Sequence, residues 1–224
     1  MSSERRITDG RELWEAVQAA AAGDRAAWDV LWRGHHDRLL VMVRLRLDPR
    51  LRGRVDPSDV VQDAWAEAGR RLAAYAAEER PMPFRLWVWF LAAQRLLIVQ
   101  RHHFTPGRDP RREQAVPRGE SPGVSSVALA EELAARDTRP SEAAARREWQ
   151  RAVQEALERL NPVDREVLAL RHFEQLSNAE CARLLGLTES GATRRYLRAV
   201  ERLKHVLAPG IAPEERKRDE ERTD

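Results

Sequence analysis

The sequence predicts an all-α protein of two helical domains joined by a flexible linker, and three observations carry that prediction. Apolar residues recur at helical spacing over residues 9–104 and again over 141–207. No segment has the alternating, β-branched pattern of a strand. Between the two lies 105–140, which holds Pro106, Pro110, Pro117, Pro122 and Pro140 with Gly107, Gly119 and Gly123. That is linker composition, with room for one short helix from Val127 to Ala135. Its charges cancel, six arginines against six acids. Residues 208–224 read as a disordered charged tail.

In the first domain, Asp9 with Glu12 marks one helix start, and Asp56-Pro57-Ser58-Asp59 marks another with proline at the first helical position. In the second domain, Trp149, Val153, Ala156, Leu157 and Leu160 form an amphipathic stripe. Asn161-Pro162-Val163-Asp164 then opens a further helix, placed over Arg165–Phe173. Ser177-Asn178-Ala179-Glu180 is a capping box, in which serine and glutamate each satisfy an orphan backbone group. It starts a helix from Asn178 to Leu185 that Gly186 ends. Leu187-Thr188 leads into a second helix from Glu189 to Leu207. Helix, short glycine-containing turn, helix is the helix-turn-helix arrangement.

That second helix sorts its residues by face. Ala192, Tyr196, Ala199, Val200, Leu203 and Leu207 share one stripe, directed at the core. The opposite face carries Ser190, Arg194, Leu197, Arg198 and His205, with Thr193 and Arg202 at its edges. Arginine suits guanine O6 and N7, serine and threonine suit bases or phosphate, and a leucine can touch a thymine methyl. Read alone, the same face fits a solvated basic helix with a stray leucine. The turn, the capping box and the supporting helices favour DNA reading.

Composition bounds the rest. Of 224 residues 33% are charged, and the most apolar region runs uncharged only from Leu86 to Gln94. A membrane-spanning helix needs roughly 20 residues. With a charged N-terminal stretch and no apolar h-region, the expected location is the cytoplasm. Net charge is +3, and only Lys204 and Lys217 are lysines; every other base is arginine, which grips phosphate in a bidentate fork. A GC-rich coding sequence raises arginine content equally well, so position has to decide. A lone cysteine, Cys181, excludes an internal disulfide framework and sits at a core position beside Leu184 and Leu185. His35-His36 and His102-His103 are adjacent pairs whose side chains diverge by about 100° on a helix, so neither pair makes a metal site. Glycine-rich phosphate loops, metal-spaced ligand sets and nucleophile elbows are absent from the sequence. The expectation is a protein that is not an enzyme, with no catalytic residues, metal, cofactor or small-molecule substrate.

The run from Leu157 to Phe173, then Leu176 to Thr188, then Arg195 to Ala199, resembles region 4 of the sigma-70 family, above all its small extracytoplasmic-function (ECF) sigma factors. Independently, Asp56 to Trp65 resembles region 2.2, with acidic residues and a glutamine ahead of an apolar helix. Phe84 to Gln94, continuing to Arg101, resembles regions 2.3 and 2.4. The two motif sets stand in the family's order and cover most of the chain.

The resemblance implies a region 2 bundle over 9–104, a region 4 helix-turn-helix over 141–207, and specific roles. Asp56, Asp59, Gln62 and Asp63 match positions that dock on the clamp helices of the largest subunit of core RNA polymerase; an acidic helix start suits a basic partner surface. Asp56 and Asp59 also serve as ordinary caps, whereas Gln62 is harder to explain that way. Tyr75–Phe84 matches the loop that captures a flipped base of the −10 element, and Gln94, Arg95 and Arg101 would line the single-stranded DNA path. The family usually has asparagine where Gln94 stands and aspartate where Ile98 stands, departures that bear on base preference. Trp87 matches a core tryptophan; Trp89 points elsewhere, toward a second packing surface or DNA. Ser190, Thr193, Arg194, Leu197, Arg198 and Arg202 would read the −35 element. The implied partners are core RNA polymerase, including its flap region, double- and single-stranded promoter DNA, and an anti-sigma factor, with no membrane. A linker of 36 residues reaches at most about 120 Å, against about 70 Å for two turns of DNA. Both elements can therefore be held at once, and the tether raises effective concentration. The competing reading is a conventional helix-turn-helix regulator that does not associate with polymerase. It would need a sensing or phospho-acceptor domain upstream, and 9–104 has neither pattern.

Overall fold

A computed structural model of the chain describes residues 10–79, 81–104, 122–136 and 143–207. They are all-α, as the sequence predicts, and contacts divide the chain into two compact units meeting at Pro122 and Gly123.

The first unit contains α1 (Gly10–Ala21), α2 (Arg25–Arg46), a 3₁₀ turn (Pro49–Leu51), α3 (Pro57–Ala76) and α4 (Phe84–Phe104). Each start has a chemical cause. The Asp24 carboxylate accepts from the amides of Ala26 and Ala27 at the head of α2. Asp56 does the same for Ser58 at the head of α3, with Pro57 at the first helical position. Asp9, read as a cap, lies outside the described residues. α3 packs against all three other helices, because Val60, Val61, Ala64, Trp65, Ala68 and Leu72 fall on its inner face. An aromatic chain ties the bundle together. Trp28 and Trp32 of α2 meet Trp65 of α3, Trp65 meets Phe84 of α4, and Tyr75 bridges Trp14, Phe84 and Trp87. Such pairs contribute about 0.5–1.5 kcal/mol each beyond area burial.

α4 is apolar almost all round, as a helix buried on several sides must be. Trp89, left open between packing and DNA, is 5% exposed, with the Arg46 guanidinium 5.2 Å from its ring centroid. It is a packing residue. Trp87 is half-buried and stacked on Tyr75 at 4.3 Å.

The second unit contains α5 (Ser126–Arg136), α6 (Ala143–Glu158), α7 (Pro162–Leu168), α8 (Asn178–Leu185) and α9 (Glu189–Leu207). α5 spans the short helix placed at Val127–Ala135, but it packs on α6 rather than lying free: Leu129 and Ala130 are fully buried, and the Val124 amide donates to Glu166 of α7. Of the stretch read as linker, 105–121 and 137–140 lie outside the described residues, as does the tail 208–224. The helix placed over Arg165–Phe173 starts at Pro162, behind the Asn161 cap that the sequence marks, and changes pitch. After Leu168 it widens into a π turn over Ala169–Phe173, closed by Gln175 in the left-handed region at φ 56°. Among the described residues no helix is long and apolar enough to cross a membrane.

Candidate nucleic-acid interface

The α8–turn–α9 unit is built by local chemistry. Ser177 accepts from the Glu180 amide, while the Glu180 carboxylate accepts from the Ser177 amide at 2.7 Å, closing the predicted capping box. Gly186 ends α8 at φ 63°, where a Cβ would be strained, and the Leu187 amide returns to the Ala182 carbonyl. Thr188 then accepts from the Gly191 amide at 3.1 Å, and Asn178 donates to the Glu189 carbonyl at 2.7 Å. The last bond fixes the head of α9 to the head of α8.

α9 sits on the core through Ala192, Ala199 and Leu203, all buried. The face predicted to read DNA is the exposed one. Ser190, Thr193, Arg194, Arg198 and Arg202 are all exposed, and Leu197 is 58% exposed, the most exposed large apolar side chain among the described residues. Thr193 spends its hydroxyl proton on the Glu189 carbonyl at 3.0 Å, leaving its oxygen only as an acceptor. Among the described residues no ion pair holds Arg194, Arg198 or Arg202, so each fork is available to an outside anion or base edge. Tyr196, at the margin, lies beneath the Arg171 guanidinium at 5.2 Å. The His205 side chain lies outside the described residues.

Sequence reasoning missed Arg195. Its Nη1 donates to the Asp164 carboxylate at 2.7 Å, a contact between α9 and the first turn of α7. A separation of 31 positions leaves no local signal for it.

In the first unit, Asp56, Asp59, Gln62 and Asp63 are all exposed along the solvent face of α3, opposite the buried Val60, Val61 and Ala64. Asp56 is also the cap: its carboxylate accepts from the amide and hydroxyl of Ser58, and those bonds hold its pKa below the usual aspartate value. On α4, Gln94 and Arg101 share one side at a spacing of seven residues, whereas Arg95 lies about 100° round from Gln94. Arg95 turns to α3 and donates to Asp63 at 2.8 Å. The structure thus splits the three residues expected along the single-strand path.

The ends of the Tyr75–Phe84 segment belong to helices: Tyr75 is in α3, Phe84 in α4, and both are buried. The loop proper begins after Ala76. Tyr75 spans it, donating its hydroxyl to the Met82 carbonyl at 2.6 Å. Burial pushes the Tyr75 phenol above its ordinary pKa, so it stays a donor at neutral pH.

Residues 150–203 match the family described as Sigma-70, region 4, which spans the second half of α6 through most of α9. The chain is similar to the ECF RNA polymerase sigma factor BldN of Streptomyces coelicolor, 24% identical over 200 residues, covering 89% of this chain and 67% of that protein. Among solved structures it is similar to CnrH in complex with the cytosolic domain of CnrY. The TM-score is 0.53 at 23% identity, over 90% of this chain and 99% of that one. That likeness concerns the fold.

Proposed function

We propose that this chain, a sigma-70-family protein of the ECF type, binds core RNA polymerase and directs it to promoters by reading their −35 and −10 elements. The observation that carries the reading is the outer face of α9. Arg194, Leu197 and Arg198 stand exposed on the second helix of a capped helix-turn-helix, inside the stretch that matches Sigma-70, region 4. Arg194 and Arg198 are suited to guanine edges, Leu197 to a thymine methyl, and Ser190, Thr193 and Arg202 to phosphate or base acceptors at the margins.

The acidic face of α3 supplies the other half. Asp56, Asp59, Gln62 and Asp63 dock on the basic clamp helices of the largest polymerase subunit, and the second unit engages the flap region. Gln94 and Arg101 line the −10 strand, Arg95 joins them once it is released from Asp63, and the loop after Ala76 captures a flipped base. The labour divides between residues 9–104 and 141–207, with α5 packed onto α6 of the second. Strand separation needs no catalytic group. Unstacking costs a few kcal/mol per base, offset by aromatic stacking at about 1–3 kcal/mol per base and by backbone contacts. The reading is therefore of a non-enzymatic factor at work in the cytoplasm beside polymerase and DNA. An anti-sigma factor that covers one of these surfaces would silence it; CnrH, one of the structural neighbours, was solved in complex with the cytosolic domain of CnrY.

The test is a footprint of the chain with core polymerase on promoters selected from a random duplex library. Protection near −35 together with permanganate-reactive thymines near −10 is expected. Protection of duplex by the chain alone, with no melted bases and no need for polymerase, would overturn the reading in favour of a conventional helix-turn-helix regulator.

A further inference from the structure

We propose that Asp164 and Arg195 are positioning residues for DNA reading: their ion pair sets the rotation of α9 about its own axis, and so which base edges Arg194 and Arg198 meet. The inference rests on the assignment of α9 to the −35 element.

Arg194 and Arg195 are sequence neighbours with opposite duties. Arg194 faces solvent, while Arg195, about 100° round the helix, turns inward and donates from Nη1 to Asp164 Oδ1 at 2.7 Å. The Asp164 side chain is 2% exposed and that of Arg195 is 32% exposed. A carboxylate removed from water holds its cation strongly, because few other donors can reach it.

The frame that presents Asp164 is itself fixed. Asn161 caps α7 at the Val163 amide, Arg165 donates to the Leu157 carbonyl at 3.0 Å, and Glu166 accepts from the Val124 amide. Asn178 holds only the head of α9, through the Glu189 carbonyl, and Arg171 lies over Tyr196 without a hydrogen bond to it; further along, α9 buries Ala192, Ala199 and Leu203. Apolar contacts of small side chains are non-directional and tolerate rotation; a charge-assisted hydrogen bond does not. A turn of about 20° moves a point at the roughly 5–6 Å outer radius of a helix by about 2 Å. Bidentate bonds to a base tolerate only about 0.5 Å.

The experiment compares wild type with Asp164→Asn, the full chain bound to core polymerase, on a promoter with the selected −35 element and on one with that element scrambled. Buried Asp164 cannot touch DNA, and the substitution keeps its volume. Asp164→Asn should lower the selected-to-scrambled initiation ratio about tenfold, through loss on the selected promoter. Arg195→Lys keeps a donor for Asp164 and should hold the ratio within about twofold. An unchanged ratio in Asp164→Asn overturns the proposal. So does an equal fall on both promoters accompanied by a lowered unfolding midpoint, which is what a merely structural pair predicts. If Asp164→Asn does not fold, Arg195→Lys against Arg195→Gln decides: equal ratios overturn the proposal, and a lower ratio in glutamine alone supports it. Lack of discrimination by the wild type would instead remove the assignment of α9 to −35.

Discussion

Arg95 donates from Nε and Nη2 to a single oxygen of Asp63, each at 2.8 Å, across the α3–α4 contact. The pair joins two proposed surfaces, because Asp63 stands on the face of α3 proposed to meet polymerase and Arg95 on the proposed path of single-stranded DNA. Their side chains are 50% and 39% exposed, so solvent screens the pair and its contribution is about 0.2–1 kcal/mol. In the free chain the fork of Arg95 is occupied by Asp63. On the proposed reading, a basic polymerase surface that engages Asp63 would free it for phosphate.

Asp63→Asn therefore has two expected effects of opposite sign. Affinity of the free chain for a single-stranded −10 oligonucleotide should rise about two- to fivefold at low salt, the range set by a surface ion pair. Affinity for core polymerase should fall. Fluorescence anisotropy with labelled oligonucleotide reads the first, and competition for labelled core reads the second. Changes of the same sign in both would show that the pair does not link the surfaces.

Arg194→Ala with Arg198→Ala should lower promoter-specific initiation at least tenfold while leaving polymerase binding intact, since a bidentate arginine–guanine contact contributes about 1–3 kcal/mol of discrimination. Run-off transcription beside a co-elution assay separates the two. Loss of polymerase binding would mean the two functions are misplaced on the chain.

Asp59→Arg with Gln62→Ala should weaken polymerase association without unfolding the first unit, because both side chains are exposed and the Asp56 cap is untouched. Helix content by circular dichroism should match the wild type. Unchanged affinity for core would remove α3 as the interface.

Tyr75→Phe keeps the ring among Trp14, Phe84 and Trp87 but removes the bond to the Met82 carbonyl. Stability should fall by about 1 kcal/mol, seen in the denaturation midpoint, and base selectivity at −10 should broaden while −35 selectivity holds. A broadened −35 preference would contradict the role given to this loop.

How much of this was legible in the sequence follows from how local each cause is. The α8–turn–α9 unit was read residue for residue, because the Ser177–Glu180 box, Gly186 and the alanine and leucine period all act within a turn or two. Its exposed face was legible for the same reason, since Ala192 and Ala199 fix what must point outward. The π turn after Leu168 had no such cue: the left-handed residue that closes it is Gln175, not glycine. Trp89 was ambiguous because α4 is apolar all round, so periodicity does not orient it; its environment became clear only with Arg46 beneath it. α5 was placed to within a residue at each end, but the proline and glycine around it read as linker and hid its packing on α6 through Leu129 and Ala130. Asp63–Arg95 and Asp164–Arg195 join residues 32 and 31 positions apart, and tertiary pairs at that range have no signature in spacing.

The most direct measurement mixes the purified chain with core RNA polymerase lacking any sigma factor, follows co-elution, and then assays initiation on a library of duplex promoters. The account predicts a stable complex that initiates on a subset of promoters sharing paired −35 and −10 sequences. Sequence-specific DNA binding by the chain alone, with no affinity for core, would contradict it.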